Sequence, residues 1–553
     1  MSCRATAFHL LAVLCLLQTL TASPRTNYAA IIRAVAEVTQ AEVDRGAISG
    51  VTIALVDDQQ TVFVRGFGFA DKKRRRPANA DTVYRAGSIS KLFTAMAAMQ
   101  LVERGRLDID KPVTAFLPDF YITNPFGEAM TLRQLMCHRS GMVRESPVGS
   151  YFDDTEPGVA RTVASLSSCV LVHPPGTRTK YSNSGVTIVG HTIERVTGLP
   201  FEVYAQRHLL NPLGMTNSAF MRTPGIRRNL ASGYLPVAQL DGTFRETTAP
   251  VFELGTLPAG NLYTTAEDLA RFLQAFFRGG GSVVRADTLA EMFTPQLTSD
   301  TNGFGLGFNV GHFRGRKTVS HTGAVYGFTS SLAAMPAEKL GVIVLCNDDL
   351  AVGPVRKLSD FALGLILGEA PDASGESRGE GTSIDLAAFT GDYESQSFWG
   401  RIEIQNGKLM LNCSGQQLAL EPSGPLRFEA NGRIAHRWAV TFERDTNGHI
   451  TTFTAPGQKF QRVDPAKVPL PPPAWKALVG SYGPGFIPLI VSIKHGHLYA
   501  MTENEFDYRL TPVNQWVYKM PPGLYTDEQL VFQPDRQGRV HTAVLANMPL
   551  RRR

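Results

Sequence analysis

No HExxH, no CxxC and no other paired Cys/His spacing occurs in this sequence, which removes the common zinc sites from consideration. Cysteine itself is scarce, with six residues in 553. Cys3 and Cys15 fall in the first segment, whereas Cys137, Cys169, Cys346 and Cys413 are far apart. Those four allow three disulfide connectivities, and the spacing does not choose among them. Cys346 ends the apolar run GVIVLC, where a buried thiol on a strand is expected. Charge of one sign is also scarce: the net charge is +6, and charged residues make up 19% of the chain. Two basic runs, residues 72–76 and 551–553, carry no interleaved stacking aromatics. A solvated loop and a solvated tail are expected there, and no nucleic-acid interface. No long apolar run follows the N-terminal one, so no membrane span is expected in the mature chain. With 43% hydrophobic residues the composition is that of a globular protein. No motif asks for a metal or another cofactor.

What is present begins with a leader. MSCRATAFHLLAVLCLLQTLTASPRT places Arg4 before an apolar stretch, and small residues follow at 21–23. The stretch is short for a membrane span and reads as a cleaved signal peptide over residues 1–23. The mature protein is therefore expected to be secreted or periplasmic.

At 553 residues the chain exceeds one ordinary core. Residues 28–45 have apolar side chains at helical spacing, and GVTIALVDDQQTVFVRGFGFA reads as a β-hairpin. A long helix-and-loop region follows, then four strand-like runs: GFGLGFNV, RKTVSHTG, GFTSSLAAMP and KLGVIVLCND. A helix is expected over residues 354–367. This order predicts an α+β unit over residues 24–369, an antiparallel sheet flanked by helices with an all-helical lobe. APDASGESRGEGTS at 370–383 has linker composition. Beyond it, two segments repeat each other. FTGDY at 389–393 answers LVGSY at 478–482, and IEIQNGKL at 402–409 answers VSIKHGHL at 491–498 at the same interval. FERDTNGHI and FQPDRQGRV follow one residue out of step. Two small all-β, barrel-like domains are predicted, over residues 384–463 and 475–553, joined by a Pro-rich spacer at 464–474.

Three short motifs carry chemistry. In Ser88-Ile89-Ser90-Lys91, a helix would set Ser88 and Lys91 on one face. A serine hydroxyl needs an adjacent base, and a lysine can serve once burial lowers its pKa. The bland alternative is a helix N-cap at Ser88 or Ser90, with Lys91 in solvent. The second motif, Tyr181-Ser182-Asn183 in PPGTRTKYSNSG, is placed on a loop by its prolines and glycine. A phenol there can relay protons, and the amide two residues on can point into the same cleft. The third, His321-Thr322-Gly323, ends a strand-like run, and a glycine there would let a substrate approach the strand edge. Each motif alone is weak. Together, in this order and in this frame, they are specific.

On these motifs residues 28–367 resemble the serine β-lactamase-like family, which includes class C β-lactamases, D-alanyl-D-alanine carboxypeptidases, D-aminopeptidases and esterases. TLRQLMCHRSGM, NPLGMTNSAF, LPAGNLYTTAEDLARF and NGFGLGF are similar to stretches typical of these proteins. The resemblance implies that Ser88 is the acylated nucleophile, Lys91 its amine partner and Tyr181 a proton acceptor or relay. It implies substrate-binding roles for Asn183, His321, Thr322 and Gly323, with the N–H groups of Ser88 and Ala324 forming the oxyanion hole. β-Lactamases carry lysine where His321 stands, and histidine weakens the fixed cation that would meet a penicillin carboxylate. The paired β units resemble those of D-aminopeptidases. The expectation is an exported serine hydrolase that cleaves an ester or amide, D-amino-acid peptides included, in a small-molecule, peptide or cell-wall-derived substrate. A β-lactamase or penicillin-binding carboxypeptidase is the first alternative. A non-catalytic protein that binds cell wall or another ligand is the second.

Overall fold

The computed structural model describes residues 28–368 and 385–553. The leader and the linker at 370–383 lie outside the described residues. The predicted first helix is α1 (Tyr28–Asp44), with Ile31, Val35, Thr39 and Glu42 forming its buried stripe. The hairpin is β1 (Gly50–Asp57) and β2 (Gln60–Asp71). Two helices of the lobe matter for the site, α2 (Ser90–Glu103) and α3 (Asn183–Thr197), and α4 (Ala266–Phe277) packs on the sheet. The later strands are β3 (Asn309–Phe313), β4 (Arg316–Val325), β5 (Phe328–Met335) and β6 (Leu340–Cys346). The last helix of this part, α5, spans Val352–Ile366.

With the short edge strands Arg76–Pro77 and Gly303–Phe304, these six form one eight-stranded antiparallel sheet, with β6, β5, β4 and β3 following β1 in space. The apolar runs are continuous because both faces are covered. Val51, Ile53 and Leu55 of β1 join Val342 and Val344 of β6 in the core under α1 and α5. Ala54, Val56, Ile343 and Leu345 point the other way, into the core shared with α2 and α4. Alternate residues on a strand face opposite sides, so a two-sided sheet needs apolar side chains at every position. Helix α2 has no polar stripe: every residue from Ser90 to Leu101 is buried. It is the central helix of the lobe, not a surface helix.

The first C-terminal unit is a closed barrel of eight strands, sealed where Gly391–Glu394 pairs with Gln458–Arg462. The second comprises a four-stranded and a five-stranded sheet, with Tyr482 bridged to Arg552. The repeated tyrosines have equivalent surroundings. Tyr393 Oη donates to the Phe389 carbonyl at 2.9 Å and Tyr482 Oη to the Leu478 carbonyl at 2.8 Å. Arg462 and Arg552 lie over the respective rings at 5.8 and 5.7 Å. The basic tail is therefore not free. Arg551 ends a strand, and Arg552 donates to the carbonyls of Ala477 and Val479, which the one-sign charge of the run concealed. The run at 72–76 is partly engaged as well, with Lys72 on Glu246 at 2.6 Å and Arg74 on Asp71 at 2.8 Å. Between the β units, 3₁₀ turns at Pro465–Lys467 and Pro473–Ala477 flank a segment in which Leu470 is exposed.

Among the described residues no helix is long and apolar enough to cross a membrane. The four described cysteines are all free and buried.

Candidate active site

Ser88 lies on the 3₁₀ turn Gly87–Ile89 that feeds α2, two residues before the regular helix begins. The i,i+3 relationship survives, and Lys91 Nζ is 3.0 Å from Ser88 Oγ. Neither serine caps the helix through its side chain. Ser90 Oγ instead donates to the Gly87 carbonyl at 2.6 Å and accepts the Leu262 N–H at 2.9 Å, which pins the turn to the segment behind it. Lys91 is buried, not solvated, and also donates to the Ala259 carbonyl at 2.7 Å. Burial holds its pKa well below the ordinary lysine value; nearby Glu145 opposes the shift, and Arg144 adds to it. In its neutral form, which burial favours, an amine that spends one hydrogen on Ala259 keeps a lone pair for the Ser88 proton.

Tyr181 ends the loop, Ser182 is the N-cap of α3 and Asn183 its first residue, so the loop expected for all three stops one residue sooner. Ser182 Oγ accepts the Gly185 N–H at 2.9 Å and donates to the Val143 carbonyl at 2.6 Å. The Tyr181 ring lies 4.9 Å from Lys91 Nζ. Burial pushes its phenol up to about 12, against a hydrogen bond with Ser88 and the Arg144 charge. The phenol is neutral at pH 7. Asn183 Nδ2 donates to Glu145 Oε1.

His321, Thr322, Gly323 and Ala324 lie inside β4, paired in register with Leu332, Ser331, Ser330 and Thr329 of β5. The other edge of β4 faces the nucleophile turn. At Gly323 a Cβ would sit 2.0 Å from the Ala86 carbonyl, so the close approach that requires glycine there is made by the chain's own backbone. At Gly87, with φ +54°, a Cβ would sit 2.9 Å from the Ala324 nitrogen. The Ala324 amide thus lies against the Ser88 turn. His321 is buried, with Nδ1 2.5 Å from the Thr322 carbonyl and Nε2 without a hydrogen-bond partner among the described residues. Burial, helped by Lys91, lowers its pKa to about 4.

The structure adds residues that no motif pointed to. The His138 ring stacks on Tyr181 with centroids 4.1 Å apart, and its Nδ1 accepts the Ser182 N–H at 3.2 Å. The Arg144 guanidinium lies 5.5 Å from the centre of the Tyr181 ring and sits, partly buried, between Glu145, at 3.6 Å, and Glu503, at 3.5 Å. Burial raises Glu145 to about 7, with Arg144 pulling back. Tyr525 donates to Glu503 at 2.8 Å. His138 sits within TLRQLMCHRSGM, so that stretch held a signal; Glu503 and Tyr525 come from the second β unit and had none. Phe486 of the same unit packs on Tyr326 and Phe252, at 5.4 and 5.7 Å between ring centres. Among the described residues no three His, Cys, Asp or Glu side chains are placed to hold a metal ion.

A hydroxyl beside a buried amine and phenol, next to a strand-edge amide, on a helix-flanked antiparallel sheet, is the arrangement of a serine-hydrolase fold. Residues 35–364, more than half of the sequence, match the Beta-lactamase family, and the chain belongs to it. Protein flp of Staphylococcus aureus (strain N315) is 24% identical over 317 residues, covering 56% of this chain and 62% of its own. The match thus spans less than two thirds of that relative. The octameric penicillin-binding protein homologue from Pyrococcus abyssi is 25% identical, covering 79% of this chain and all of its own at a TM-score of 0.58. D-amino acid amidase from Ochrobactrum anthropi SV3 shares the fold at 23% identity and a TM-score of 0.52, over 61% of this chain and 99% of its own.

Proposed function

We propose that this chain is an exported serine hydrolase that cleaves an ester or amide through an acyl-enzyme on Ser88, with D-amino-acid peptides within its range. The observation that carries the reading is the 3.0 Å contact between Ser88 Oγ and an amine held below its ordinary pKa. Lys91 Nζ takes the Ser88 proton as Oγ bonds to the substrate carbonyl carbon. The tetrahedral oxyanion is met by the N–H groups of Ser88 and Ala324. Its collapse breaks the bond to the leaving group, which receives the proton from Lys91 through the Tyr181 phenol. Water then adds to the acyl carbon, giving a proton back along the same route, and Ser88 leaves as the hydroxyl. Asn183, His321 and Thr322 line the substrate side, and Gly323 lets the strand close on the Ala86 carbonyl behind the nucleophile. The leader composition supports export.

Two features favour an ester or amide without an obligatory carboxylate over a penicillin. His321 is neutral at pH 7. Arg144 already has two carboxylates beside it. No uncommitted cation of this group is left for a β-lactam carboxylate. A non-catalytic binding role is disfavoured because nucleophile, amine and phenol are assembled together. A fluorophosphonate probe should label the wild type and leave Ser88→Ala unlabelled; equal labelling of both sinks the assignment. A panel of nitrocefin, nitrophenyl esters and L- and D-aminoacyl anilides separates the substrate classes. Fast turnover of nitrocefin alone would overturn the preference for esters and amides.

A further inference from the structure

One carboxylate of the second β unit reaches the back of the site without touching the reacting groups. Glu528 is buried, and its Oε1 is 2.7 Å from Lys180 Nζ and 3.1 Å from the backbone N–H of Arg144. Both partners adjoin the chemistry. Lys180 precedes Tyr181, and its own N–H donates to the carbonyl of His138, whose ring stacks on Tyr181. The Arg144 carbonyl accepts the N–H groups of Asn183 at 2.9 Å and Ser184 at 3.2 Å, so it holds the first turn of α3. Glu528 therefore pulls on both sides of the Tyr181 loop at once. Its backbone is fixed in turn: its N–H donates to Tyr525 at 3.0 Å, and its carbonyl accepts from Met520 at 3.0 Å. Lys180 Nζ adds a bond to the Thr526 carbonyl at 2.8 Å.

We propose that Glu528 is a positioning residue for catalysis, setting Tyr181 and Asn183 through Lys180 and the Arg144 backbone. The proposal rests on the acyl-enzyme reading above. A buried ion pair contributes little net stability but fixes geometry, and removing one member strands the other charge. With Glu528 neutralised, Lys180 has to turn or lose its proton, and Tyr181 beside it moves. A misplacement of about 1 Å at such a group costs on the order of 100-fold in rate. The second β unit is on this view part of the catalytic apparatus and not an appended binding module.

The test uses the full chain as wild type, Glu528→Gln, Lys180→Met, the double variant, Arg178→Ala and Ser88→Ala. Arg178 forms an exposed pair with Asp527 at the same interface and serves as the control. Thermal melts, kcat and KM on a short-chain nitrophenyl ester, and the rate of fluorophosphonate labelling are measured on each. The expected result is a fall in kcat and in labelling rate of at least tenfold for Glu528→Gln and Lys180→Met, with KM within threefold. The double variant should be no worse than the poorer single one, and Arg178→Ala should stay within twofold of wild type. A folded Glu528→Gln with kcat within twofold of wild type overturns the proposal, as does a loss confined to KM or shared by Arg178→Ala. If Glu528→Gln does not fold, Lys180→Met decides on the same limits. Full activity in Ser88→Ala would instead overturn the reading on which the proposal rests.

Discussion

The His138 ring lies flat against Tyr181, 4.1 Å between centroids and 29° between planes, and it carries the Ser182 N–H on Nδ1 at 3.2 Å. One buried side chain thus fixes the phenol by stacking and the start of α3 by a hydrogen bond. Replacing it with alanine removes both and leaves a buried N–H without a partner, a cost of about 1–3 kcal/mol. His138→Ala should lower kcat on a nitrophenyl ester about tenfold or more and lower the denaturation midpoint. Steady-state kinetics and urea melts check this. Unchanged kcat would mean that Tyr181 is placed by other contacts.

Lys91→Met should separate activity from stability. The lysine is buried and burial penalises its charged form, so an apolar replacement of similar length removes the base and relieves that penalty. The rate constant for labelling by a fluorophosphonate should fall by about 10²–10⁴, the usual contribution of a positioned base. The thermal midpoint should be equal or higher. A variant that labels at the wild-type rate would remove Lys91 from the mechanism.

His321 gives a signed dependence of stability on pH. Its folded pKa is about 4, below the ordinary 6.5, because burial penalises the charged ring and Lys91 adds to that. Between those values the unfolded chain binds the proton and the folded one does not. The stability it contributes is complete above about pH 6.5 and is lost as pH falls through 4. The shift corresponds to about 3 kcal/mol in all. Glu145 shifts the opposite way, to about 7, so the total slope mixes signs and the difference between variants is the clean observable. Urea melts should show wild type losing about 2 kcal/mol more than His321→Gln between pH 6.5 and 4.5. Parallel curves would place the His321 ring in contact with water.

Much of this arrangement is legible in the sequence because it is local. The SxxK spacing puts Ser88 and Lys91 on one turn whether that turn is 3₁₀ or α, and the continuous apolar runs announce β1 and β6. The central place of α2 follows from a segment with no polar stripe. Other parts depend on the tertiary fold. Arg144 and Glu145 look like ordinary surface charges until Glu503 is brought beside them, and Glu528 meets Lys180 only through the packing of the second β unit. Gly323 suggested room for a substrate, whereas the space is taken by the Ala86 carbonyl. Arg552 read as a solvated tail because nothing in the run itself shows that Tyr482 lies under it.

Gly87 provides the sharpest test of the turn that carries the nucleophile. Its φ of +54° is left-handed, and a Cβ would come within 2.9 Å of the Ala324 nitrogen. Alanine is strained in that conformation by about 1–2 kcal/mol, and the contact falls on the amide assigned to the oxyanion. Relief requires the turn to move away from β4, which widens the distance between Ser88 and the Ala324 N–H. Gly87→Ala should therefore lose 10²-fold or more in kcat, the scale of removing one oxyanion donor, while its stability falls by only about 1–3 kcal/mol. Gly315 is the control. It also has positive φ, +79°, but a Cβ there meets nothing within 4 Å, so Gly315→Ala should cost stability alone. Equal kcat for both variants would show that the approach of Gly87 to Ala324 has no part in turnover.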